Sequence, residues 1–220
     1  MFILAFVLTA TALTALAQPA FKGGDQAFAT FLKNNIVYPE YSSRNCISGI
    51  IDVSFRITKN GKVVDATVQR GLGIDLDEEA LRIIKLTSGK WIVPDDYNEN
   101  TRLVQPVRFS PDQTNCGSSP NAADIQAAIT SYKIRQELEN AVTNYYSNKY
   151  QGKADTSKEA TIINLKKQLG FDDELIGDLL QQANKKLKQG DQEGACTDWT
   201  FIRNIGSNRA DSFISKYCKH

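Results

Sequence analysis

The stretch from Ile50 to Thr58 constrains this chain more than any other. Ile51, Val53, Phe55 and Ile57 alternate there with Asp52, Ser54 and Arg56. That period of two predicts a strand with one apolar and one polar face. Asn60-Gly61 follows at once, and this pair suits the positive-φ positions of a tight hairpin turn. Lys62 to Arg70 then returns as a second strand, with Val64, Ala66 and Val68 predicted on one face.

The flanking segments read as helices and one more strand. Phe21 to Asn35 carries Phe28, Phe31 and Leu32 at helical spacing after Gly23-Gly24. Tyr38-Pro39 ends it, because the residue before a proline is pushed out of the α region. Asp77 is the expected N-cap of a second helix containing Ala80, Leu81, Ile83 and Ile84, with Lys85 near its end and Gly89 as its stop. Asp75, Asp77, Glu78 and Glu79 would suit the positive end of that helix, which explains the acidic cluster without catalysis. Trp91, Pro94 and a polar loop from Asp95 to Thr101 lead into a third strand, Leu103 to Phe109.

Composition changes beyond the third strand. Residues 113–121 are rich in Gly, Ser, Pro and Asn and read as a linker. Residues 122–220 show no strand pattern. Ala122 to Tyr150 and Thr161 to Leu169 are helical candidates, and Asp172-Asp173 caps another running to Lys188. Gly194-Ala195-Cys196, Trp199, Ile205-Gly206 and Tyr217-Cys218 then outline a helical hairpin that resembles a tetratricopeptide or Sel1-type unit. One such hairpin makes no solenoid, so a small bundle is expected. Tyr132, Tyr145, Tyr146 and Tyr150 fall at helical spacing and read as packing residues rather than a glycan platform.

Residues 1–17 are uncharged and almost wholly apolar, and end in Ala15-Leu16-Ala17. This reads as a cleaved signal peptide, since a membrane span wants about 20 apolar residues. Charge is balanced, with 26 Lys and Arg against 25 Asp and Glu, so no basic face for nucleic acid is indicated. His220 is the only histidine. No phosphate loop, G-x-S-x-G or H-E-x-x-H occurs, and the chain is read as a non-enzyme with no cofactor or metal. Cys46, Cys116, Cys196 and Cys218 contain no C-x-x-C pair, suit an oxidising compartment, and allow three pairings.

Tyr38-Pro39, Gly49, Val53, Phe55, Asn60-Gly61-Lys62-Val63, Leu76-Asp77, Ala80-Leu81, Trp91, Pro94, Pro106-Val107 and Phe109 stand in the order and spacing of the TonB C-terminal domain. Residues 19–112 resemble that family, in the version with an upstream Phe-x-Gly-Gly found in Bacteroidota. The fold expected is α+β: a three-stranded antiparallel sheet with helices on one face, followed by an all-α region. Topology alone argues for strand order two-one-three. The hairpin is antiparallel, and a right-handed helical crossover returns the third strand beside the first. Cys46 then faces Cys116 at one end of neighbouring strands. Cys196 and Cys218 lie about equally far from the Gly206-Ser207 turn of the last hairpin, so the pairs expected are Cys46–Cys116 and Cys196–Cys218.

The resemblance implies a periplasmic binding module. It would take an extended segment, the TonB box of an outer-membrane receptor, as an added strand on the open third strand. Arg102, Leu103, Val104 and Gln105 are the candidate contacts. Asn35, just before Tyr38-Pro39, joins them because the family uses that segment against the receptor. Two alternatives stand beside this reading. In one, residues 2–17 stay as an anchor and the chain is a short energy transducer. In the other, the sheet edge is covered and the helical half carries the contacts of a secreted adaptor.

Overall fold

A computed structural model describes residues 18–111, 116 and 121–218; the expected signal peptide, most of the linker and His220 lie outside them. The first half runs β1 (Ala20–Phe21), α1 (Gly24–Asn35), α2 (Glu40–Arg44), β2 (Gly49–Ile57), β3 (Val63–Arg70), α3 (Asp75–Lys85), β4 (Trp91–Ile92) and β5 (Leu103–Phe109). The second half is helical: α4 (Ala122–Tyr150), a 3-10 turn at Thr156–Lys158, α5 (Glu159–Gln168), α6 (Asp173–Lys188), α7 (Gln192–Asn204) and α8 (Asp211–Tyr217).

The alternation in β2 sets the first core. Ile51, Val53, Phe55 and Ile57 all point inward and are no more than 1% exposed. The sheet order is β3-β2-β5, antiparallel throughout, so β2 is central and β5 is an outer strand. Gly61 closes the hairpin with φ +72°, and a Cβ there would sit 2.5 Å from the Trp91 carbonyl oxygen. No other residue fits that turn.

β3 departs from the simple alternation. Asp65 adopts φ +51°, and between Ser54↔Thr67 and Arg56↔Val64 one extra residue enters β3. Two residues against one is a bulge, and it reverses which parity faces inward. Val63, Ala66 and Val68 pack on the core, where Val64, Ala66 and Val68 were expected.

α3 begins two residues before the expected cap. Ile74 is the extended residue ahead of it, and Asp77 lies inside the first turn. The Asp77 carboxylate folds back to accept from the amides of Leu72 (2.9 Å) and Gly73 (2.8 Å). A Cβ on Gly71 would collide with that carboxylate at 2.3 Å, so the glycine makes room for the loop's own clasp. Asp75 instead accepts from the amide and hydroxyl of Ser42, tying α3 to α2.

Phe21, expected in a helix, pairs as β1 with Trp91 of β4. The Trp91 ring lies 5.4 to 6.0 Å from those of Phe21, Phe28 and Phe55. Trp91 is half-buried, and its indole N–H donates to Thr87 Oγ1 at 3.0 Å.

Packing changes hands within α4 rather than at its start. Asn121 begins this helix with a reciprocal capping box with Asp124. Ile125, Ala128, Ile129 and Tyr132 then pack on the first core, while Val142 and Tyr145 belong to a second core. That second core is built by α5 to α8 around Trp199, Ile202 and Ile205, all fully buried. Trp199 stacks on Phe213 and Tyr217 of α8. Of the four tyrosines read as packing residues, Tyr132 and Tyr145 are buried, whereas Tyr150 is 47% exposed. Disulfides join Cys46 to Cys116 and Cys196 to Cys218.

Candidate protein-binding edge

β5 pairs with β2 from Gly49↔Phe109 to Phe55↔Leu103, and no described strand pairs with its other side. Strand alternation puts Leu103, Gln105, Val107 and Phe109 toward the core and Val104, Pro106 and Arg108 on the open face. Burial grades along the strand: Val107 and Phe109 are buried, Leu103 and Gln105 lie half-covered, and Val104 is 50% exposed. The strand is thus anchored at its C-terminal end and accessible at its N-terminal end.

The anchored end is fixed from three directions. The Cys46–Cys116 disulfide lies beyond it, with Cα atoms 5.7 Å apart. The Tyr38 ring meets Phe109 edge-on at 6.0 Å, and its hydroxyl donates to the Ile47 carbonyl at 2.5 Å. Burial, with the nearby Asp75 carboxylate, pushes the Tyr38 phenol up to about 12, so it stays a neutral donor.

The five candidate contact residues do not form one cluster. Leu103, Val104 and Gln105 lie together on β5, where Gln105 donates to the Pro106 carbonyl at 3.0 Å. Arg102 is turned onto the sheet. Its Nη1 donates to Ser54 Oγ and to the Asp65 carbonyl, both at 3.3 Å, so it crosses from the start of β5 to the β3 bulge. Arg56 pairs with the Asp65 carboxylate beside it and holds that carboxyl below its usual range.

Asn35 sits elsewhere, at the seam with the helical half. Its side chain donates to Phe31 O at 2.8 Å and its carbonyl accepts from Arg82 Nη2 at 2.7 Å. Arg82 is the hub of that seam. It binds both oxygens of Glu79 (2.7 and 2.8 Å) and reaches Asp191 (3.0 Å) and Gln189 (3.1 Å) at the α6–α7 turn. Burial opposes the Arg82 charge, but Glu79 and Asp191 outweigh it and hold the guanidinium above its usual range. Glu79 also accepts from the Val37 amide at 2.7 Å, and Lys185 donates to the Ile36 carbonyl at 3.1 Å. The segment before Pro39 is therefore gripped from both halves of the molecule.

Sequence reading placed Glu79 in a helix cap and did not single out Arg82. The i,i+3 spacing of the pair was visible, but nothing local pointed to Asp191, 109 residues away. Among the described residues no group of His, Cys, Asp and Glu is disposed to hold a metal, and no helix is long and apolar enough to cross a membrane.

Residues 34–111 match the family model described as the Gram-negative bacterial TonB protein C-terminal, a stretch that contains the whole β2-β3-β5 sheet and α3. No curated protein and no solved structure matches the chain.

Proposed function

We propose, from the premise that residues 34–111 belong to the TonB C-terminal family of protein-interaction domains in TonB-dependent transport, that this chain acts in the periplasm by taking up an extended segment of an outer-membrane receptor along β5. The observation that carries the reading is the unpaired side of β5. An outer strand exposes a row of backbone donors and acceptors that template another chain.

Pro106 shapes that row. A proline is tolerated in a strand when its nitrogen faces away from the existing ladder. Residues of equal parity share that orientation, so Val104 and Arg108 present N–H and C=O outward, while Pro106 presents only its carbonyl. The docking ladder then has two donors and three acceptors, one of which, the Pro106 carbonyl, already accepts from the Gln105 side chain. So short a ladder predicts weak binding, because ordering a free segment costs conformational entropy.

Val104→Pro removes one of the two donors while leaving an outer strand that tolerates proline. Titrating the isotope-labelled full chain with receptor-box peptides should shift β5 resonances in the parent and none in Val104→Pro. Shifts confined to β3 would show that the other side of the sheet is used and would sink the proposal. Arg102→Ala should alter the β3 bulge resonances as well as binding, because Arg102 braces the sheet.

A further inference from the structure

The far end of the helical half gathers cations on tyrosine rings. Tyr146 and Tyr150 of α4 lie 6.5 Å apart. Lys166 of α5 stands 4.9 Å over Tyr146, Lys149 stands 5.9 Å over the same ring, and Arg203 stands 4.9 Å over Tyr150. Lys149 is paired with Glu159, and Arg203 has the Asp211 carboxylate at 3.8 Å. Lys166 is half-buried and has neither, since its ammonium meets no carboxylate and no hydrogen-bond acceptor among the described residues. The Tyr146 ring offsets that charge on one side only, and an ammonium has three donors to place. Burial lowers the Lys166 pKa, and no charged neighbour opposes it.

Lys166 lines a cavity of about 640 Å³ between the end of α4, the start of α6 and the α7–α8 turn. This volume is in the range that holds small organic ligands. Arg209, Ser207 and Asn208 bring donors from that turn, and Tyr150, Phe171 and Ile176 form an apolar wall. Arg209 is largely unspent. It donates to the Asp173 carbonyl at 3.3 Å, and its one carboxylate contact among the described residues, with Asp173, is 3.7 Å long to a side chain 95% exposed. The other carboxylate in the lining, of Asp172, accepts from the Leu175 amide at 2.9 Å. Gly206 lets the turn approach: its φ is +84°, and a Cβ there would lie 2.4 Å from the Tyr146 ring.

We propose that this cavity binds a small organic anion, with its carboxylate or phosphate between Lys166 and Arg209 and its body against Tyr150. An ammonium and a guanidinium beside a hydroxyl and an amide suit an oxyanion, and the guanidinium fork fits carboxylate and phosphate alike. The apolar wall suits a ring or chain better than a bare inorganic ion. The site lies outside residues 34–111, and the inference does not depend on what binds β5.

The test titrates the full chain at constant ionic strength with benzoate, phenyl phosphate, inorganic phosphate and benzyl alcohol, following the amide resonances of Ser207 and Asn208. Saturable shifts from benzoate or phenyl phosphate and none from benzyl alcohol are expected. The tighter of the two organic anions identifies the acidic group. Inorganic phosphate should bind more weakly than that anion, because it gains nothing from the apolar wall. Lys166→Gln, which breaks no described side-chain hydrogen bond, should weaken binding of the same anion roughly fivefold, the loss of one charged contact. Absence of saturable shifts with both organic anions, equal shifts from benzyl alcohol, equal affinity for inorganic phosphate, or unchanged affinity in Lys166→Gln would each overturn the proposal.

Discussion

The two halves of this molecule each surround a core and each carry a disulfide, yet they bury their tryptophans differently. Trp199 is fully enclosed by α7, α8 and their neighbours, and its indole N–H finds no partner. Trp91 lies half-exposed at the margin of the sheet, shared among three phenylalanine rings, with its N–H satisfied by Thr87. The helical half therefore depends on a central side chain. The sheet half depends on β2, whose inward residues come from one continuous run of sequence.

That contrast is open to measurement. Trp199→Ala should cost about 4 to 5 kcal/mol, the upper range for a large side chain removed from a closed core. Trp91→Ala should cost about 2 kcal/mol, because its surroundings are partly solvated and have less surface to lose. Equal losses in denaturant titrations would erase the distinction between the cores.

The disulfides sharpen the comparison. Cys46–Cys116 spans 70 residues and Cys196–Cys218 spans 22. Loop-closure entropy gives about 4 kcal/mol for the first and about 3 kcal/mol for the second. Paired Cys→Ser variants should rank in that order, and a reversed ranking would place the heavier constraint in the helical half. Arg82→Leu comes next, at about 3 kcal/mol, because it strands the Glu79 carboxylate, which is 4% exposed. If that loss is absent, the seam between the halves contributes no stability.

Much of the sheet half was legible in sequence. The alternation of β2, Asn60-Gly61 and the crossover through α3 suffice for the strand order, because each is a local pattern whose connection has few alternatives. Val64 misled because a non-glycine residue at positive φ, Asp65, leaves no mark on alternation. β1 and β4 were hidden because two residues carry no period. The helical segments were visible, but the periodicity of α4 could not say that its two ends serve different cores. The candidate contact residues Leu103, Val104 and Gln105 lie on β5, where strand reading puts them. The inward turn of Arg102 and the capture of Asn35 by Arg82 depend on tertiary neighbours that no spacing announces.

The smallest expected effect concerns pH. Carboxyls at the seam are raised in the folded state by burial, so the folded protein binds protons that the unfolded chain releases. Stability should therefore rise as pH falls from neutrality through those raised values, and stop rising near the ordinary carboxylate range. A melting temperature higher by a few degrees in mild acid is the expected readout, reduced in Asp75→Asn. A flat profile would mean that the seam carries no unbalanced charge.

α4 has a consequence for cooperativity. At 29 residues it is a rod about 44 Å long whose ends are held in separate cores. An isolated helix of either half-length is marginal in water, so neither end persists once its core dissolves. Melting one core would fray the rod and remove a wall of the other. The sheet and the bundle should lose their order in a single calorimetric transition, as though the chain had one domain with two centres.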